Sequence, residues 1–277
     1  MQVSFPHLGL DFAIDRVAFS LFGMPIYWYG IIIAIGFALG LCTASVAAHK
    51  LGEEKDIVLD IALICGPVAV VCARLYYVVF MWQNYRHNLS EIFNLRSGGL
   101  AIYGGIIGAV IAAYVFARVK KKKVLKIFDI GSVGLITGQM IGRWGNFFNQ
   151  EAFGSNTNLP WGMTGNRIKE YLTELSSKGV AVSPEMNVHP TFLYESLWSF
   201  GVLICLFVII YRHYKFNGQV FFAYISLYGL GRLWIEGLRT DSLMIGPLRV
   251  SQIVALACFV VGAILYVYYL KNTKQES

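Results

Sequence analysis

The stretch GRWGNFFNQEAFG, residues 142–154, sets Arg143 close to Asn146, Gln150 and Glu151. A second stretch, YGLGRLWIEGLR, carries Tyr228, Arg232, Glu236 and Arg239 at i, i+4, i+8 and i+11, one continuous stripe if the segment is helical. A guanidinium is a planar fork of N–H donors that stays charged at any accessible pH, so arginines gathered in one place match the oxygens of a phosphate. The i, i+4 spacing also predicts an intrahelical bridge between Arg232 and Glu236. That bridge fixes one guanidinium but leaves the second arginine one turn on without a reason. The chemistry these residues can do depends on where they lie relative to a membrane.

The chain places them at the ends of long apolar runs. Hydrophobic residues make up 56% of its 277 residues and charged residues only 14%, with a mean hydropathy of +0.57. Soluble domains carry roughly a quarter charged residues, and a run of about 18 apolar residues is long enough to cross a bilayer. Seven such runs lie near 24–48, 57–81, 100–118, 125–145, 191–211, 219–237 and 249–270. The expected fold is an all-α polytopic membrane protein forming a single integral membrane domain over residues 1–277. No basic region precedes the first run and no small-residue cleavage site follows it, so it reads as a retained span.

Lysines and arginines set the expected orientation. Twelve fall in four short alternate segments around Lys50, Lys120 to Lys123, Arg212 and Lys271. The longer segments on the other side carry seven, among them Arg16, Arg86 and Arg96. This puts the N-terminus outside and the C-terminus inside. The net charge of +7 is then mostly a topological signal with some attraction to anionic lipid headgroups, and it needs no nucleic-acid partner.

With that orientation the intramembrane polar residues fall at one depth. Arg74, Arg143, Arg232 and Glu236 lie late in spans running outward; Tyr29 opens the first span, Tyr103 the third, and His189 and Glu195 flank the fifth. Charged groups in hydrocarbon are costly and face partners, water or a ligand. A collection drawn from most of the helices at one depth points to a single outward polar site, and a phosphate there belongs naturally to a phospholipid. Gly145 and the polar run after it suggest that the fourth span breaks into a loop lining that site. Replacing Arg16, in the outer N-terminal segment, is expected to change little.

Residues 146–190 form the longest connection and read as an outer loop or cap. Within it NRIKEYLTELSSKG has Ile168, Tyr171, Leu172 and Leu175 on one face and Gly179 as a stop. Gly36 and Gly40, Gly104 and Gly108, and Gly134, Gly138 and Gly142 have the spacing of closely packed helices. Trp28, Trp82 and Trp144 read as interfacial belt residues. The five cysteines sit inside apolar runs with no metal-ligand spacing.

The stretch GRWGNFFNQEAFG resembles the signature of the prolipoprotein diacylglyceryl transferases. So do WYG at 28–30, ARLYYVVF at 73–80, SGGLAIYGG at 97–105, HPTFLYE at 189–195 and YGLGRLWIEGLRTD at 228–241. The resemblance implies an enzyme of the bacterial plasma membrane, without metal or organic cofactor. It would move the diacylglyceryl group of phosphatidylglycerol onto the lipobox cysteine of a preprolipoprotein signal peptide, forming a thioether and releasing glycerol phosphate. The resemblance further implies that Arg143 and Arg232 hold the phosphate, that Asn146, Glu151 and Gly154 are key signature positions, and that Glu236 and Arg239 continue the site. Catalysis is thus assigned to Arg143, Arg232, Tyr103 and Glu151. Tyr29, Arg74, His189, Tyr228, Asn146, Gly154, Glu236 and Arg239 are assigned to substrate binding. Many members have a histidine where this chain has Tyr103, and tyrosine titrates above a thiol. The base for the thiol is therefore open between another residue, the phosphate or water, and the arginine field. A transporter for an anionic lipid or solute is the rival reading, opposed by the lack of a repeat relating two halves.

Overall fold

The computed structural model describes residues 1–94, 98–240, 244–246 and 248–275. Arg96, Ser97 and Asp241, used above for charge balance and motifs, lie outside the described residues. Helices dominate: α1 (Trp28–Lys50), α2 (Asp56–Phe80), the short α3 (Trp82–Tyr85), α4 (Ile102–Val119), α5 (Val124–Asn149), α6 (Asn166–Ser177), α7 (Thr191–Val208), α8 (Gln219–Leu238) and α9 (Val250–Gln275). A π turn at Ile209–His213 prolongs α7. Among the described residues six helices are long and apolar enough to cross a membrane: α1, α2, α4, α5, α7 with its π turn, and α9. The protein is a multi-pass membrane protein.

The seventh expected span is α8. It forms, with 20 residues, but it buries Gln219 and Glu236 and carries Arg232. It packs against α5, α7 and α9. A helix enclosed by other helices can carry polar groups that a lipid-facing one cannot.

Glycines set how closely the helices approach. A Cβ on Gly40 would stand 2.9 Å from the carbonyl oxygen of Gly134, and one on Gly134 would stand 3.1 Å from that of Gly40. This joins α1 to α5. On α4, a Cβ on Gly108 would stand 2.5 Å from the Cβ of Cys72, which joins α4 to α2. The bundle packs Ile127, Ile130, Val133, Ile136, Leu206 and Val220 together toward the end where α4 turns into α5, around a buried Asp129 that accepts from the Gly218 and Phe221 N–H groups and the Tyr214 hydroxyl. Its charged surface there is neutralised in part, since Glu53 pairs with Lys122 at 2.7 Å and Lys126 at 3.1 Å.

The opposite end carries a layer of short strands. Strands β1 (Gln2–Phe5), β2 (Leu10–Ala13), β3 (Val17–Leu21) and β4 (Met24–Tyr27) precede α1, β5 (Thr164–Gly165) precedes α6, and β6 (Met244–Ile245) and β7 (Leu248–Arg249) precede α9. Strand β1 lies between β2 and β5, so the N-terminus is tied to the segment after α5. Val3, Phe5, Phe153, Met163, Ile168 and Leu172 form a second core under this layer. Helix α6 buries Ile168 and Leu172 as its periodicity predicts, and Gly179 follows it at φ +81°. The N-terminal strands were not expected from sequence; β1 takes its second partner from residues remote in the chain. The first four residues of the expected 146–190 loop belong to α5.

Candidate active site

A single buried carboxylate organises the charged residues at this end. Glu195, in the second turn of α7, has its Oε2 2.6 Å from Nη2 of Arg143 on α5 and 3.1 Å from Nη1 of Arg232 on α8. Its other oxygen lies 3.7 Å from Nη1 of Arg239, just past the end of α8. Arg232 also pairs with Glu236 at 2.5 Å, the intrahelical bridge expected from the i, i+4 spacing. Both carboxylates are buried, whereas about a fifth of each of the Arg143 and Arg232 side chains remains accessible, at 22% and 18%. Among the described residues three guanidinium groups thus gather around two buried carboxylates. Cations held in this way, with solvent reaching one side, attract and orient an anion. Beneath them Gln139 and Tyr224 hydrogen-bond each other, and Tyr228 stacks on Tyr224 at 5.8 Å.

Helix α5 does not break at Gly145, contrary to expectation; it runs on to Asn149. The glycine is there for contact. A Cβ at 145 would stand 2.7 Å from the ring of Tyr29, so its absence lets Tyr29 lie against α5 at a point two residues from Arg143. The helix ends at Gln150, in the left-handed conformation at φ +50°, followed by Ala152 at φ +57°. Gln150 stabilises this exit, accepting from the Arg167 backbone N–H at 3.0 Å and donating to the Gln2 carbonyl at 3.2 Å. Asn146 and Asn149 both donate to Oε1 of Glu151, at 3.0 and 3.1 Å. Arg16 donates from Nε to Oδ1 of Asn149 at 3.2 Å. The N-terminal segment thus folds back over the end of α5.

Gly154 sits in a clasp with no room for a side chain. A Cβ there would meet the Cβ of His189 at 2.7 Å and the Leu238 carbonyl at 3.0 Å. Its N–H bonds the His189 carbonyl at 2.9 Å, and the next N–H, of Ser155, bonds the Leu238 carbonyl at 2.7 Å. The signature segment is thus laced between the start of α7 and the end of α8. His189 pairs through Nδ1 with the Tyr194 hydroxyl at 3.2 Å, and that hydroxyl accepts from Trp161 Nε1 at 2.7 Å. Burial pushes the His189 imidazole below its ordinary value.

Arg74 is placed differently from the other arginines. All five of its N–H donors are taken by backbone carbonyls: Nε by Ile92, Nη1 by Gly98 and Gly99, and Nη2 by Glu91 and Asn94, at 2.6 to 3.1 Å. It rivets the connection between α2 and α4. Tyr103 lies in the first turn of α4 and is 37% exposed; among the described residues no hydrogen bond joins it to the Glu195 cluster. Trp144, expected in the interfacial belt, also donates to Ser196 Oγ at 3.2 Å.

The sequence places Glu195 by depth among the polar residues of the site but gives it no role. Its signal was a carboxylate four residues into an apolar helix, which demands cationic partners. Arg249 carried no comparable signal, because its partners are backbone carbonyls, and the bond from Arg16 to Asn149 joins residues far apart in sequence.

Comparison with known proteins gives a consistent picture. The family model described as prolipoprotein diacylglyceryl transferase matches residues 16–268. The chain is 48% identical over 262 residues to the phosphatidylglycerol–prolipoprotein diacylglyceryl transferase of Clostridioides difficile (strain 630), covering 95% of this chain and 98% of the relative. It is 48% identical over 258 residues to the protein of the same name from Finegoldia magna, covering 93% and 97%. With that of Bacillus cytotoxicus it shares 42% over 269 residues, covering 97% and 96%.

Proposed function

The chain belongs to the prolipoprotein diacylglyceryl transferase family, and from that premise we propose a reaction carried by the arginines around Glu195. The protein is a transferase of lipoprotein maturation that uses phosphatidylglycerol and a prolipoprotein. In the proposed step the thiol sulfur of a lipobox cysteine attacks the glyceryl carbon bonded to the phosphate oxygen. A C–S bond forms, the C–O bond breaks, and glycerol phosphate departs with the electron pair while the thiol proton is lost.

Negative charge grows on the departing phosphate, and prepositioned cations stabilise it most where water is scarce. The observation that carries the reading is the gathering of Arg143, Arg232 and Arg239 around Glu195 and Glu236, with Arg143 and Arg232 still partly open to solvent. Their accessible N–H groups suit a phosphodiester anion. Arg143 and Arg232 are assigned to the phosphate, with Arg239 and Glu236 completing the cluster. Tyr29 on α1 and Asn146 on α5 are assigned to its border, and Tyr228 to its floor. Glu151, Gly154 and His189 shape the segment above, Arg74 positions the α2–α4 connection, and Tyr103 is assigned to the mouth of the site. Strand β1, strand β5 and residues 150–190 act as a cap on a single membrane domain.

The enzyme is placed in the bacterial plasma membrane with its N-terminus outside and C-terminus cytoplasmic, because the lysines of the α4–α5 turn lie at the end away from the site. The apolar layer of Ile130, Val133, Ile136 and Leu206 beneath the cluster supports an enzyme rather than a transporter. The test is mass spectrometry of a lipobox peptide incubated with purified protein and phosphatidylglycerol. A gain of one diacylglyceryl unit on the cysteine is expected. Unmodified peptide accompanied by movement of lipid between leaflets would favour the transporter instead.

A further inference from the structure

Helix α8 ends at Leu238; the Glu236 carbonyl accepts the capping N–H of Arg239 at 3.2 Å, and the last carbonyls look beyond the helix for further partners. Other parts of the chain fill that need. On one side the Ser155 N–H takes the Leu238 carbonyl, and Gly154 bridges Arg239. On the other side stands Arg249. Its Nη1 donates to the Glu236 carbonyl at 2.5 Å and its Nη2 to the Arg239 carbonyl at 3.1 Å. One turn into α9, Gln252 adds a bond to the Leu233 carbonyl at 2.9 Å. The β6–β7 hairpin, pairing Met244 with Arg249, delivers the guanidinium to this place.

These carbonyls belong to two members of the Glu195 cluster, and the two are not equally secure. Glu236 lies within the helix, where the helical ladder already fixes its backbone. Arg239 caps the helix, its N–H bonding the Glu236 carbonyl at 3.2 Å, and its extended φ −75° and ψ 148° end the helical ladder there. The clasp helps set the direction in which the chain leaves. We infer that Arg249 is a positioning residue of the transferase site, fixing the exit of α8 so that the Arg239 guanidinium faces Glu195. This rests on the assignment of Arg239 to the phosphate site. Arginine suits the task because two parallel N–H groups reach two carbonyls at once, and a cation is favoured at a helix C-terminus. A lysine reaches only one of them and fixes no plane.

The test is a double-mutant cycle on purified full-length enzyme in phosphatidylglycerol-containing vesicles, with rates counted per folded molecule. Arg249→Met is expected to lower transfer at saturating lipid by about tenfold, and Arg249→Lys by less, with Arg239→Ala lower still. In the Arg239→Ala background, Arg249→Met should cost less than about twofold further, because the residue it positions is gone. If Arg249→Met does not fold, Arg249→Lys completes the same cycle. A full rate in the Arg249 variants overturns the inference while leaving the phosphate site intact. An equal loss with and without Arg239 overturns it too, by showing that Arg249 acts elsewhere. A full rate for Arg239→Ala alone removes the assignment of Arg239 itself, and the inference falls with it.

Discussion

Glu195 on α7 stands 2.6 Å from Arg143 on α5, and the same oxygen is shared with Arg232 on α8. One carboxylate thereby sets the spacing of two arginines from different helices. Glu195→Gln keeps the shape but loses the charge that orients them. The variant should lower the transfer rate per folded molecule by roughly ten- to a hundredfold, because transition-state stabilisation depends on fixed donors. It should also melt at a lower temperature. Removing one partner of a buried pair costs about 3–5 kcal/mol, and less here because the arginines are partly solvated. Steady-state rates and thermal melts of the same preparation check both. A normal rate with a normal melt would make Glu195 a bystander.

Charge alone is not the property that Arg143 and Arg232 supply. Arg232 reaches Glu195 with one nitrogen and Glu236 with the other, which a lysine cannot do. Arg143→Lys and Arg232→Lys should both be damaging despite the retained charge. Arg143→Ala should be worse, at roughly a hundredfold or more. Because Arg16 bonds Asn149, it is no control. Lys178→Ala, at the exposed position just past α6, takes that place and should leave the rate unchanged. If both alanine variants keep near-native rates per folded molecule, these arginines are structural.

The charged members of the cluster were legible in the sequence because arginine and glutamate stand out inside apolar runs, and helical spacing put Arg232 and Glu236 on one stripe. What joins them was not. Glu195 becomes the hub only when α5, α7 and α8 meet, and nothing local to HPTFLYE encodes which arginines it will face. Gly145 misled for a related reason: a glycine before polar residues usually marks a break, whereas here it makes room for Tyr29. Depth placed Arg74 correctly at the site end, but depth carries no information on whether a guanidinium is already consumed by carbonyls.

Gly154 offers a test of the clasp that touches no charge. Its φ is ordinary, so alanine adds no backbone strain; the cost comes from a methyl group set 2.7 Å from the Cβ of His189 and 3.0 Å from the Leu238 carbonyl. Neither neighbour is the free end of a flexible side chain. Gly154→Ala must push the 154–155 segment away from α8, breaking the Ser155–Leu238 bond. Overpacking of this kind costs about 1–3 kcal/mol. The expected result is a lower melting temperature together with a large loss of transfer, larger than for Gly179→Ala at the exposed end of α6. Equal activities for the two variants would separate the clasp from catalysis.

The last prediction concerns the end of the bundle remote from the site. Burial by itself would raise the Glu53 carboxyl, yet hydrogen bonds and charge from Lys122 and Lys126 outweigh it and hold the group below the usual carboxylate range. A carboxylate whose folded value is depressed stabilises the fold above its unfolded value, near 4.3 for glutamate, and that contribution fades as pH falls through the folded value. Glu53→Gln should therefore melt at a lower temperature than the native protein at pH 7, with the gap closing progressively below about pH 4. The pair joins the α1–α2 turn to the α4–α5 turn, and the apolar layer separates both from Arg143. The transfer rate per folded molecule at pH 7 should thus be unchanged. Melting curves across pH and rates at neutral pH decide the matter. A gap independent of pH would show that the loss is packing rather than charge. A reduced rate would mean that the two ends of the bundle are coupled through α5.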